Sequence, residues 1–293
     1  MKFEGIIPAL VTPLRKDESI NCKVLSQLME FLLQQGADGF YIAGATGEGL
    51  ALRTEERITL AHESIRIVNG RKPCIIQVAA MDFRDALLLA RDAEACGADG
   101  ISATPPLFFQ YGPDEVFNYY KALAEVVHIP LMVYYNPAAG FPMNAQFAAR
   151  LFSIDNVTAI KWTSSNYYEM LKLKDMTHGQ MNVINGPDEM LLMGLNAGAD
   201  GGIGTTYNFM LPIYRAIYDN FRSGNIETAQ QAQIQADRVI NQLLKYSGIP
   251  ATKVIMEEMG FAVGNATFPM HRFTQEERIH LMKDIQQAGL ALR

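Results

Sequence analysis

Short apolar runs alternate with longer stretches of helical periodicity along most of the chain, the pattern that gives a parallel sheet. The apolar runs are GIIPALV (5–11), GFYIA (39–43), PCIIQVA (73–79), GISATP (100–105), PLMVYY (130–135), VTAIKW (157–162), MNVING (181–186) and GGIGTT (201–206). Between them lie segments such as VLSQLMEFLLQQ and FRDALLLARDAEAC, too long for loops and suited to right-handed crossovers. Eight such units in about 220 residues predict an α/β fold, a (β/α)8 TIM barrel, with chemistry at the C-terminal ends of the strands. A doubly wound sheet is the main competitor, but no Gly-x-Gly-x-x-Gly turn follows the first strand. Gly-Ala-Asp-Gly recurs at 36–39, 97–100 and 198–201, each time between a helix end and a strand start. A glycine just past a helix takes the left-handed conformation that closes it, so the repeat marks turns on the N-terminal face and is structural. Further on, IETAQQAQIQADRVINQLLKYSG, ATKVIMEEMGFAV and TQEERIHLMKDIQQAGLAL predict three amphipathic helices. The chain thus divides into a barrel over 1–223 and a C-terminal three-helix extension over 224–293.

Composition narrows the function classes. Of 293 residues, 49% are apolar, enough for one large core or two ordinary domains. A formal charge of −6 and the lack of any lysine or arginine run argue against nucleic acid as a partner. The start MKFEGIIPALVTP fits neither a signal peptide nor a membrane span, so a cytoplasmic protein with no membrane partner is expected. Cys22, Cys74 and Cys96 are far apart, odd in number and without histidines nearby in sequence, and read as buried thiols. His62, His128, His178, His271 and His280 are isolated as well, so no metal site is expected.

The strand ends hold the candidates for chemistry. Lys161 is the one charged residue of NVTAIKWTSS, where burial favours the neutral amine, a nucleophile for a carbonyl. A lysine there can equally snorkel out of the barrel mouth. Strand alternation puts Tyr134 on the same face as Met132 and Tyr135 on the other, so one of the two phenols points into the mouth, where it can shuttle a proton. The glycine-rich GATGEG at 44–49 can hold a small anion, such as a carboxylate, on its backbone N–H groups. Asp188 and Glu189 suit the first turn of a helix, or the hydroxyls of a polyol. Carbonyl chemistry without metal or nucleotide signals points to a lysine imine as the electron sink.

This constellation resembles the pyruvate-dependent class I aldolases and lyases that include dihydrodipicolinate synthase and N-acetylneuraminate lyase, and the resemblance covers nearly the whole chain. It implies a (β/α)8 barrel with a three-helix extension, usually assembled as a homotetramer, acting on a keto acid with no cofactor beyond the covalent lysine imine. The family's G-[ST]-T-G-E loop corresponds to GATGE, which puts Ala45 and Thr46 at the pyruvate carboxylate; its imine-forming lysine corresponds to Lys161 and its catalytic tyrosine to Tyr134. KWTSS, NGPDE and AGADGGIGTTYN look most like the N-acetylneuraminate lyases. Those enzymes' sugar-binding roles carry over to Thr163, Gly186, Asp188, Glu189 and Thr205. The synthase's arginine after the tyrosine has no counterpart, since YYNPAAGFPMNAQFAA contains none before Arg150.

Two departures stand out. The family's proton relay couples the tyrosine to a loop hydroxyl and to a second tyrosine from a neighbouring subunit. Here these positions are Ala45 and Phe108, and Tyr111 lies at a different spacing. Three readings follow: a lyase that cleaves N-acetylneuraminate or a close relative to pyruvate and N-acetylmannosamine; an aldolase for another 2-keto-3-deoxy acid, such as 2-keto-3-deoxygluconate; or a pyruvate-binding protein with weakened catalysis.

Overall fold

A computed structural model describes residues 2–290. The eight apolar runs form eight strands: β1 (Gly5–Pro8), β2 (Phe40–Ile42), β3 (Cys74–Gln77), β4 (Gly100–Ala103), β5 (Leu131–Tyr135), β6 (Val157–Trp162), β7 (Asn182–Asn185) and β8 (Gly201–Gly204). All pair in parallel in the cyclic order β1-β8-β7-β6-β5-β4-β3-β2. The remaining gap is spanned by a bridge between Ala9 and Tyr41, with the Leu10 N–H donating to the Tyr41 carbonyl at 3.0 Å. The result is the expected TIM barrel. The first strand is shorter than its apolar run because Val11 N–H leaves the ladder for the Asn208 side chain, 3.1 Å away.

Helices α1 (Cys22–Gln34), α2 (Thr54–Val68), α3 (Phe83–Ala95), α4 (Pro113–Ala124), α5 (Ala145–Leu151), α6 (Tyr167–Met176), α7 (Leu191–Asn196) and α8 (Tyr207–Arg222) follow the strands in turn. Several start on side-chain caps: Asn21, Asp82, Asn144 and Asn166 each accept a backbone N–H of the first turn. Beyond the barrel come α9 (Ile226–Leu243), α10 (Gly248–Glu258) and α11 (Gln275–Gln287). Helix α9 packs along α8, and α11 along α9. The last helical segment read from the sequence runs on to residue 292; α11 ends at Gln287, and residues 291 and 292 lie outside those described.

The Gly-Ala-Asp-Gly repeat is a strand-to-strand clamp. Gly36, Gly97 and Gly198 have φ of 91°, 94° and 92°, the left-handed conformation expected past a helix. The aspartate two residues later then reaches the preceding strand. Asp38 accepts the Ile6 N–H at 2.9 Å, Asp99 that of Cys74 at 2.8 Å and Asp200 that of Val183 at 3.0 Å. Each of these aspartates also donates its own N–H to the same residue's carbonyl. The second glycine admits no side chain, since a Cβ on Gly201 would lie 2.2 Å from the Gly5 carbonyl.

Inside the barrel, alternate residues form one apolar plug that includes Ile7, Tyr41, Ile75, Met132, Tyr134 and Ile203. The opposite strand faces pack under the helices. A plugged barrel leaves its rim, not its axis, open to ligands.

Candidate active site

Lys161 and Tyr134 are directly paired across β6 and β5. Tyr134 belongs to the interior plug with Met132, whereas Tyr135 faces outward and packs edge-on against Trp162, with ring centroids 4.8 Å apart. Strand alternation thus separates the two phenols. Lys161 is 5% exposed, so its stem does not snorkel free of the mouth. Its Nζ lies 4.3 Å from the Tyr134 ring centroid and 4.7 Å from that of Tyr41, two aromatic faces that favour a cation between them. The two rings meet edge to face at 6.0 Å. Tyr41 is fully buried, its hydroxyl 3.0 Å from Ser102 Oγ, and burial holds its phenol well above the ordinary range. Tyr41 is not among the residues predicted above, although it occupies the same inward phase in GFYIA as Tyr134 does in PLMVYY.

The 44–49 loop closes over the barrel edge with almost no room for side chains. A Cβ on Gly49 would fall 1.8 Å from the Ala43 carbonyl, and one on Gly47 2.9 Å from the Leu10 carbonyl. Ala43 and Glu48, at φ 57° and 60°, hold the left-handed conformation at either end, which side-chain-bearing residues rarely adopt. Glu48 and Gly49 turn their N–H groups back to the carbonyls of Ala45 and Gly44. Among the described residues, the N–H groups of Ala45, Thr46 and Gly47 have no acceptor, which leaves three consecutive donors for an anion. Ala45 is exposed and Thr46 buried. Thr46 Oγ1 lies 2.7 Å from Thr205 Oγ1, which joins the β2 and β8 loops across the rim.

On the other side of the mouth, Thr163, Gly186, Asp188, Glu189 and Thr205 line one cavity of about 550 Å³, together with Ser164, Ser165 and Thr206. Its far wall is apolar and comes from the extension: Ile240, Leu243 and Leu244 of the α9 end, then Ile249 of α10. Thr163 stands two residues beyond Lys161, on the same strand face, and links the lysine to this cavity. Its buried hydroxyl has no partner among the described residues, and a Cβ on Gly186 would lie 2.1 Å from it. All five sequence-predicted sugar-binding residues therefore converge.

Asp188 and Glu189 are not equivalent. Glu189 is exposed, while Asp188 is buried beneath it, its Oδ2 accepting both the N–H and the hydroxyl of Thr206 at 2.7 Å. The chain of contacts continues from Thr206 Oγ1 to the Tyr214 hydroxyl at 2.6 Å. Burial pushes the Asp188 carboxyl up to about 6, with the Thr206 hydrogen bonds opposing the shift. Its other oxygen packs against Gly204, where a Cβ would lie 2.2 Å away.

Phe108 is 84% exposed at φ 75°, and Phe109 stacks on it edge to face with centroids 5.1 Å apart. Tyr111 packs on Phe109 in turn, at 6.3 Å. The cysteines depart from the expectation of buried thiols: only Cys74 is buried, while Cys22 and Cys96 are partly exposed. Nor is Cys96 remote from histidine in space, because α2 and α3 bring His62 and Asp92 beside it on the outside of the barrel. A larger concavity, about 710 Å³ and lined by Lys121, His128 and Asn156, opens near the N-terminal ends of β5 and β6, away from the rim that carries Lys161. Among the described residues, no helix is long and apolar enough to cross a membrane.

Comparison with known proteins places this geometry in a lineage. N-acetylneuraminate lyase of Rhizobium meliloti is 35% identical over 277 residues, covering 94% of this chain and 92% of the relative. An Escherichia coli N-acetylneuraminate lyase is 32% identical over 259 residues, covering 88% of this chain and 87% of the relative. The solved N-acetylneuraminate lyase of Proteus mirabilis superposes with a TM-score of 0.94 at 28% identity, covering 99% of each chain. The model of the dihydrodipicolinate synthetase family matches residues 2–288, and with an eight-stranded barrel, a buried strand-six lysine beside a strand-five tyrosine and these relatives, the chain belongs to that family, in which the relatives named above are carbon–carbon lyases of the aldolase type.

Proposed function

We propose that this chain is a Schiff-base-forming lyase that cleaves N-acetylneuraminate to pyruvate and N-acetylmannosamine, or a close 2-keto-3-deoxy sugar acid to pyruvate and the corresponding aldehyde sugar. The observation that carries the reading is that Lys161 pairs with Tyr134 at the C-terminal ends of β6 and β5, on the barrel rim that also carries three free loop amides after β2 and a cavity edged by Thr163, Asp188 and Glu189. The keto acid's carboxylate sits on the N–H groups of Ala45, Thr46 and Gly47, with Thr46 Oγ1 beside it. The ketone carbon then meets Lys161 Nζ, which attacks it and, after loss of water, holds it as an iminium. The Tyr41 and Tyr134 faces favour that cation. Tyr134 takes the proton of the substrate hydroxyl next to the breaking bond; the bonding electrons flow into the iminium to give an enamine, and protonation and hydrolysis release pyruvate. The sugar chain extends past Thr163 and Gly186 to Asp188, Glu189 and Thr205. No cofactor beyond the lysine imine enters this scheme.

The lost relay hydroxyls at Ala45 and Phe108 slow proton transfer without removing the imine chemistry. A hydrogen bond to a reacting group contributes about 1.5–3 kcal/mol, so each missing hydroxyl costs about one to two powers of ten in rate. Exposed apolar residues on the loops after β2, β3 and β4, namely Leu50, Met81, Phe108 and Phe109, support assembly through this rim, and we read the protein as a homotetramer working in the cytoplasm. The barrel ends at residue 223 and the extension begins at 224 in this reading. The wall of Leu243, Leu244 and Ile249 favours a second reading, an aldolase for a less polar or different 2-keto-3-deoxy acid. Pyruvate release measured across a panel of keto acids tests the choice. N-acetylneuraminate is expected to be cleaved fastest, and equal or faster cleavage of 2-keto-3-deoxygluconate would sink the assignment.

A further inference from the structure

The glutamate that ends the carboxylate loop does not face the substrate. The Glu48 side chain is completely buried and meets Lys253 of α10, itself 2% exposed, at 2.5 Å. Glu48 Oε2 also accepts the Thr267 N–H at 2.6 Å, and Lys253 Nζ donates to the Asn265 carbonyl at 3.1 Å. An ion pair so far from water is a poor source of stability, since desolvation of both charges offsets their attraction, and an apolar pair often serves as well. The pair ties the loop to the extension. Glu48 adopts φ 60° directly after the three free N–H groups, so those amides lie within three residues of a side chain anchored in α10. The same extension grips the opposite side of the mouth, where Gln233 of α9 donates to the Asp188 carbonyl at 3.2 Å and accepts the Leu192 N–H at 3.0 Å.

We propose that Lys253 is a positioning residue for the reaction: through Glu48 it sets the orientation of the 45–47 amides, so that the C-terminal extension, and not the barrel alone, shapes the keto-acid carboxylate site. This rests on the reading above that those amides receive the carboxylate.

The test is pyruvate affinity, measured by calorimetry and by borohydride trapping, alongside thermal stability for Lys253→Met, Glu48→Gln and the double variant. Lys253→Met leaves a buried carboxylate without its partner, so both its melting temperature and its affinity fall. The double variant removes both charges and recovers the melting temperature, yet still binds pyruvate about tenfold more weakly, the loss of one well-aligned hydrogen bond to a charged ligand. Its trapping rate at saturating pyruvate stays that of the wild type, because Lys161 is untouched. A double variant with wild-type stability and wild-type affinity would overturn the inference. Should the double variant not fold, Glu48→Gln alone decides: it keeps an oxygen for the Thr267 N–H, and unchanged affinity there would overturn the inference too. If the wild-type protein neither binds nor traps pyruvate, the functional reading itself fails, an outcome distinct from equal binding by wild type and variants.

Discussion

Replacing Asp188 by asparagine turns the buried carboxyl of the sugar cavity into a pH-independent group of nearly the same shape. Burial raises this carboxyl from 3.8 to about 6 in the folded protein. A raised acid holds its proton more tightly folded than unfolded, so it adds nothing below about pH 4, and its cost grows from there to about pH 6. A rise from 3.8 to about 6, at about 1.4 kcal/mol per pH unit, makes ionised Asp188 a burden of about 3 kcal/mol at pH 7. The asparagine of Asp188→Asn carries no such burden, and its side-chain oxygen can still accept from Thr206. Urea denaturation of both proteins at pH 4 and pH 7.5 isolates the effect, since packing differences common to both pH values cancel. The stability of Asp188→Asn relative to wild type should improve by about 2–3 kcal/mol between the two pH values, while cleavage of the sugar acid falls. A difference that does not change with pH, or that moves the other way, would refute the assignment of a strained, buried carboxyl here.

Three further outcomes test the rest of the site. Ala45→Ser restores a relay hydroxyl beside free loop amides, and kcat should rise by about one power of ten with little change in pyruvate affinity; an unchanged or lower kcat contradicts the relay account. Tyr134→Phe should keep imine formation detectable by trapping but cut turnover by about 10²–10⁴, and near-normal turnover would remove the phenol from proton transfer. Gly186→Ala drives a methyl to within 2.1 Å of Thr163 Oγ1, so it should cost about 1–3 kcal/mol in denaturation and weaken sugar-acid binding; a neutral result would mean that this turn is looser than its contacts imply.

What local pattern exposes, and what it hides, follows from the range of the interactions. The eight strands are legible because a strand buried on both faces is an apolar run whatever lies around it. Lys161 stands out as a charge in such a run, and alternation picks out Tyr134 over Tyr135 once Met132 is known to point inward. Tyr41 escapes notice because its partners, Tyr134 and Lys161, come from strands 93 and 120 residues away. The pairing of Glu48 with Lys253 and of Gln233 with Asp188 is hidden for the same reason. Asp188 and Glu189 look alike in NGPDE, yet one side chain folds under Thr206 and the other faces solvent, a difference made by the tertiary fold alone. The cysteines mislead in the opposite direction: sequence distance separates Cys96 from His62, and two adjacent helices bring them together.

Everything proposed for this site depends on Lys161 forming a covalent imine with the keto acid. Incubating the protein with pyruvate and sodium borohydride, then mapping the modified peptide by mass spectrometry, tests it directly. One reduced pyruvate adduct is expected, on Lys161, absent from Lys161→Met and formed by Tyr134→Phe. No adduct on wild-type Lys161, or an adduct on another lysine that survives Lys161→Met, would contradict it.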